Sequence, residues 1–191
     1  MNSENFCKIK DNVILHYYSK SEVFDKKIAE FMKVEINQGL CLVPGGFTPF
    51  SAYNILAKAK KIEPSRKVLL TDDRLVDYGS DKSNYRMLVE NLKIDFRDDF
   101  PLSYYDEINC HGLTSLNEKI AKVLETSCIE CSFLGLGEDS HTASLFPNHP
   151  EILECNTPGL ITKNNNEDFS RFSLSYNTIL TSKKIVFLVK G

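Results

Sequence analysis

Short apolar runs alternate along the chain with longer segments whose apolar residues recur every three or four positions, a change of period that separates strands from helices. The pattern predicts a first strand at Val13-Ile-Leu-His-Tyr-Tyr18, then a helix from about Glu22 to Asn37 with Ser21 placed to cap it. Val23, Phe24, Ile28, Phe31 and Met32 share one face of that helix. Gly39-Leu-Cys-Leu-Val43 reads as the second strand, Thr48 as the cap of a helix with Pro49 at its first position, and Lys67-Val-Leu-Leu-Thr71 as the third strand. This is βαβαβ wiring. A helix from about Ser83 to Leu92, an irregular stretch from about Phe96 to Asp106, a helix from about Leu113 to Glu125 and a strand at Cys131-Ser-Phe-Leu-Gly-Leu-Gly137 extend it. The last part adds strands at Gly159-Leu-Ile-Thr162, Arg171-Phe-Ser-Leu-Ser175 and Lys184 to Gly191, with a short helical run after Asn177 and a polar loop over Lys163 to Asp168. The expected fold is α/β, a three-layer arrangement of a mostly parallel sheet with helices on both faces. No repeat or linker divides it, so residues 1–191 are expected to form one domain.

Composition narrows the class. The chain has 191 residues, 42% of them apolar and 26% charged, which is enough to bury a substantial core. With 26 acidic against 23 basic side chains the formal charge is -3, and no cluster of lysine and arginine forms a nucleic-acid face. No segment has the length of a signal-peptide core or a membrane span, so a cytoplasmic location is expected. The six cysteines are then expected as thiols: Cys7, Cys41, Cys110 and Cys155 in packing or surface roles, and the C-x-x-C spacing of Cys128 and Cys131 as a coincidence, since it leads into a strand.

Three predicted strand ends carry chemistry. After the second strand, Pro44-Gly-Gly-Phe-Thr-Pro-Phe50 opens into a helix, an arrangement that offers N–H groups to a phosphate and is equally a plain tight turn. The third ends in Thr71-Asp-Asp-Arg74, two carboxylates and a guanidinium that serve either a ligand or a solvated strand end. The third follows the strand at Cys131, where Gly135-Leu-Gly-Glu-Asp-Ser-His141 places Asp139 and Ser140 to cap a short helix carrying His141. Imidazole titrates near neutrality and suits proton transfer. A dinucleotide fingerprint is disfavoured because Ser140 stands at its third glycine, and His149 lies at no standard ligand spacing from His141. One pocket at the carboxyl ends of parallel strands accounts for all three clusters.

Together these motifs resemble the 6-phosphogluconolactonase family, within the wider group that includes glucosamine-6-phosphate deaminase. Gly45-Gly46 with Thr48-Pro49 is similar to its phosphate loop, Asp72-Asp-Arg74 with Ser83-Asn84 to its acidic-Arg and Ser-Asn motif, and Gly135-Leu-Gly137 through His141-Thr-Ala-Ser-Leu-Phe-Pro147 to its histidine motif. Arg171-Phe-Ser-Leu and Val186-Phe-Leu-Val-Lys-Gly191 resemble later strands. The matches occur in order over nearly the whole chain. They depart at Phe47, where the family has a small hydroxyl residue, and at Ser140, where it has glycine.

The resemblance implies a Rossmann-like fold of the sugar-phosphate isomerase type and hydrolysis of a phosphorylated sugar lactone without metal or organic cofactor. It implies His141 as the base, Asp72 holding His141 or a substrate hydroxyl, and Arg74 orienting substrate or stabilising an oxyanion. Gly45, Gly46, Phe47 and Thr48 would bind phosphate through main-chain donors, with Arg171 adding charge. A deaminase or isomerase using Asp72 as base is the alternative, but that branch continues toward Asn-Glu-Pro after its histidine, where this chain reads Ser144-Leu-Phe-Pro147. A binding protein without turnover is a second alternative. The family is also expected to continue past the glycine matched by Gly191 with a lysine and further elements, so weak phosphate binding and an open final strand are expected here.

Overall fold

The computed structural model describes residues 4–10, 12–59, 68–92, 102–164 and 167–191. At its centre lies a four-stranded sheet of β3 (Leu40–Val43), β4 (Val68–Leu70), β6 (Ile129–Gly135) and β9 (Ile185–Leu188), in the order β4-β3-β6-β9 with every pair parallel. The expected parallel α/β core is therefore present. Leu42, Val43, Leu69, Cys131 and Phe133 are fully buried, as strands covered on both faces require. Helices α1 (Ser21–Gln38), α2 (Phe50–Lys58), α3 (Asn84–Leu92), α4 (Tyr104–Thr126), α5 (Pro150–Leu153) and α6 (Tyr176–Leu180) complete the chain with the remaining strands.

Those remaining strands are where the structure departs from expectation. Val13–Tyr18 is β2, and it pairs antiparallel with β1 (Glu4–Lys10) in a separate two-stranded sheet instead of opening the βαβαβ unit. Val13, Ile14, Leu15 and Tyr17 are exposed there. A short apolar run specifies a strand but not its partner. Similarly, β5 (Asp72–Arg74), β7 (Gly159–Lys163) and β8 (Ser170–Leu174) form an antiparallel sheet of order β5-β8-β7. Thr71 joins the two sheets, its N–H donating to Val43 O at 2.9 Å and its C=O accepting from Leu174 N–H at 2.9 Å. The predicted third strand thus does not simply end at Thr71 but crosses from one sheet to the other.

Helix boundaries show smaller shifts. Ser21 is the first residue of α1, after Lys20 at the cap, and Pro49 rather than Thr48 caps α2. Ser83 does cap α3, its hydroxyl accepting from Arg86 N–H at 3.1 Å. The stretch expected to be irregular is helical from Tyr104, capped by Ser103; Gly112, at φ 83°, splits α4 into two helical pieces. The part of that stretch from Phe96 to Pro101, together with Lys67, Asn165, Asn166 and the Cys7 side chain, lies outside the described residues. Tyr104, fully buried, donates its hydroxyl to Leu70 O at 2.6 Å and packs on Phe172 at 4.5 Å between ring centroids, fastening α4 to both sheets. Among the described residues no helix is long and apolar enough to cross a membrane. Cys128 is exposed and Cys131 buried, both as free thiols.

Candidate active site

The turn after β6 folds the chain back on itself. Ser140 N–H donates to Gly137 O at 3.0 Å, Gly137 N–H to His141 O at 2.9 Å, and the Thr142 hydroxyl to Gly135 O at 3.0 Å. Residues 138–140 form a turn and not the start of a helix, which overturns the expected helix cap at Asp139 and Ser140. Ser140 instead sits at φ 69°, a left-handed conformation more easily held by glycine. That conformation lets Asp139 turn toward the histidine: its Oδ1 lies 2.5 Å from His141 Nδ1 and accepts from His141 N–H at 3.3 Å. The hydrogen bond from His141 holds the Asp139 carboxyl below its ordinary range. With Nδ1–H directed at this carboxylate, Nε2 is left as the basic nitrogen. Gly137 leaves room for the ring, since a Cβ there would stand 2.3 Å from His141 Cε1 and Nδ1.

Asp72 does not hold His141. It is buried, with Oδ2 accepting the Ser144 hydroxyl at 2.6 Å and Oδ1 the Thr71 hydroxyl at 3.0 Å. Ser144 N–H in turn donates to Ser173 Oγ at 3.2 Å, so Asp72 and β8 together fix the far end of the histidine loop. The contact to His141 expected of Asp72 is made by Asp139, which the sequence pattern marked only as a cap of the expected short helix. Its separation of two residues from the histidine was the available signal.

Asp73 is the buried neighbour. Its carboxylate accepts from Asn84 N–H at 2.6 Å, Tyr85 N–H at 3.2 Å and its neighbour Arg74 N–H at 2.8 Å, tying β5 to the first turn of α3. Burial pushes this carboxyl up to about 7, against the pull of those donors. Asn84 then bridges two of the predicted clusters. Its Nδ2 donates to Asp72 O at 3.2 Å, and its side chain lies where a Cβ on Gly45 would come within 2.0 Å. Pro44 is anchored by the Tyr53 hydroxyl, which donates to its carbonyl at 2.6 Å. Gly46 has φ 82°, and Phe47 projects outward, 95% exposed.

Arg171 completes the connection. Its Nη1 lies 3.5 Å from Ser144 Oγ, and its Cζ stands 5.5 Å from the Phe146 ring, which is itself 5.1 Å from the His141 ring. The fork formed by Nε and Nη2 is held by Glu167. Arg74 pairs in register with Arg171 across β5 and β8, yet its Nη1 donates to Lys82 O at 2.8 Å. It lines a recess of about 290 Å³ with Lys82, Glu167, Asp168 and Phe169. The structure thus links His141, Asp72, Gly45 and Arg171 through Phe146, Ser144 and Asn84. Arg74 stands beside them on β5, and Phe47 points away. Among the described residues no group of three or more His, Cys, Asp or Glu side chains is placed to hold a metal ion.

Comparisons with known proteins give the same geometry a family setting. The family model described as glucosamine-6-phosphate isomerases/6-phosphogluconolactonase matches residues 21–191. A Chlamydia pneumoniae protein named 6-phosphogluconolactonase is 29% identical over 150 residues, 77% of this chain and 58% of the relative. A Thermotoga maritima protein of that name is 29% identical over 161 residues, 78% of this chain and 68% of the relative. The chain thus spans little more than half of the Chlamydia relative. Among solved structures, a Shewanella baltica 6-phosphogluconolactonase superposes with TM-score 0.73 at 22% identity, covering 89% of this chain and 78% of that one. One from Plasmodium vivax gives 0.74 at 20% identity, covering 95% and 77%. At those identities the superpositions establish the fold.

Proposed function

As the chain belongs to the glucosamine-6-phosphate isomerase/6-phosphogluconolactonase family, we propose that it hydrolyses 6-phosphoglucono-1,5-lactone to 6-phosphogluconate, a step of the pentose phosphate pathway. The observation that carries the reading is the imidazole of His141, oriented by Asp139 at the carboxyl end of β6. Nε2 takes a proton from water as the water oxygen bonds to the lactone carbonyl carbon. The resulting oxyanion then collapses, the bond to the ring oxygen breaks, and the imidazolium returns the proton to that oxygen. Acid-base help of this kind is worth roughly 10² to 10⁴ in rate. Arg74, whose buried Nε has no partner among the described residues, is the oxyanion or orienting donor. The N–H groups of Gly45, Gly46, Phe47 and Thr48 take the phosphate with Arg171, the exposed Phe47 side chain having no part in it.

Asp72 has a positioning role here, holding Ser144 and so the loop that bears His141. That occupancy disfavours the deaminase reading, in which Asp72 must remove a carbon-bound proton while both its oxygens already accept hydroxyls. The core shared by the elements from α1 to β9, Ala29 to Leu188, is what supports reading them as one domain. The test compares two assays: acid release from the phosphorylated lactone, corrected for spontaneous opening, and ammonia release from glucosamine 6-phosphate. Activity in the first alone is expected. Activity in the second alone would replace the lactonase reading by the deaminase one.

A further inference from the structure

Arg171 reaches the site with its fork already filled. Its side chain is 8% exposed, Nε donates to Glu167 Oε2 at 2.8 Å, and Nη2 donates to Glu167 Oε1. A bidentate carboxylate on a guanidinium occupies the same N–H edge that a phosphate oxygen pair would take. Glu167 is set by a turn in which its own N–H donates to Asn164 O at 3.1 Å. Glu167 also lines the recess with Arg74, Lys82, Asp168 and Phe169. Phe169 stands between two cations, Lys82 Nζ 4.8 Å and Arg171 Cζ 5.8 Å from its ring centroid. Arg74 lies opposite Arg171 across β5 and β8, and its buried Nε has no partner among the described residues.

We infer that Glu167 is an internal competitor for substrate phosphate: its carboxylate holds the Arg171 fork when the site is empty and must leave it for the phosphate to bind there. The inference rests on the reading above through its assignment of phosphate to Arg171. Apparent affinity is then lowered by the fraction of molecules whose fork is free. A ligand with no phosphate brings no anion to this end of the site, the carboxylate of gluconate lying at the other end of the carbon chain from C6, so Glu167 tunes affinity for 6-phosphorylated ligands alone. If Glu167 were only a brace that positions Arg171, its loss would free the guanidinium to move and weaken binding instead.

The experiment measures 6-phosphogluconate and gluconate binding by calorimetry, and lactone KM, for the wild type, Glu167→Gln, Glu167→Ala, Arg171→Ala and the double variant Glu167→Gln/Arg171→Ala. Removing the carboxylate is expected to tighten 6-phosphogluconate binding about three- to tenfold, with KM falling in parallel. Gluconate should gain nothing, and the gain should vanish in the double variant. Both Glu167 variants predict the same direction, so a folding defect in one leaves the other decisive. Unchanged or weakened binding, an equal gain for gluconate, or no 6-phosphogluconate binding by any form overturns the inference. Tightening without lactone opening by the wild type would retain it and remove the lactonase reading. Lactone opening without tightening would do the reverse.

Discussion

At the scale of single residues, the site depends on how closely Gly137, Asp139 and His141 are folded together. A methyl group on Gly137 meets the imidazole, because the Cβ position is 2.3 Å from two ring atoms and 2.9 Å from Asp139 Oδ1. Gly137→Ala should therefore displace His141 and lower kcat for lactone opening at least about tenfold, in line with the sensitivity of catalysis to small misplacements. A wild-type kcat in that variant would mean the ring position is unimportant. Asp139→Asn should lower kcat about tenfold or more while leaving the fold intact, since the amide no longer selects the tautomer with a basic Nε2. The Asp139 side chain is 56% exposed, so the loss should be smaller than for a buried orienting carboxylate. An unaltered pH-rate profile and rate would reduce the pair to a surface contact. His141 was legible because a buried strand and two glycines precede it. Asp139 was not, because its turn toward the ring depends on the positive φ of Ser140, a conformation that residue type does not announce.

Among the elements, the join between β5 and α3 has the sharpest consequence. Three N–H groups, two of them at the start of α3, converge on Asp73. Replacing it by alanine leaves buried donors unpaired, at a cost of about 1 to 3 kcal/mol for each lost bond that water does not replace. The same carboxyl titrates near 7 when folded, above its ordinary value of 3.8, so the folded state binds the proton more tightly than the unfolded chain. The stability this contributes is fully present below the unfolded value and is lost as pH rises toward about 7. Melting temperature followed from about pH 4 to about pH 7 should thus show a falling component that Asp73→Asn lacks. An identical pH dependence in the variant would place the titration elsewhere. Helices α1 and α3 and strands β3 and β6 were readable from apolar period and turn residues. The antiparallel pairing of β5, β7 and β8 was not, because alternation along a strand carries no information about the direction of its neighbour.

For the whole molecule, the decisive feature is the crossing of the chain at Thr71 from the parallel sheet to the antiparallel one, which brings β8 beside the carboxyl ends of β3 and β6. Asp72 meets Ser144, seventy-two residues away, and Arg171 reaches the same hydroxyl from β8. The sequence marked both Asp72 and Arg171 as site residues, but their partners follow from the three-dimensional join and could not be read from spacing. In the proposed mechanism this join serves one base, His141. The most direct test of that role is the rate of lactone opening, corrected for the spontaneous reaction, by His141→Asn in parallel with binding of 6-phosphogluconate. The expected result is a folded variant that still binds 6-phosphogluconate but has lost roughly 10² or more of the enzyme-dependent rate. Near-wild-type opening of the lactone by that folded variant would contradict it.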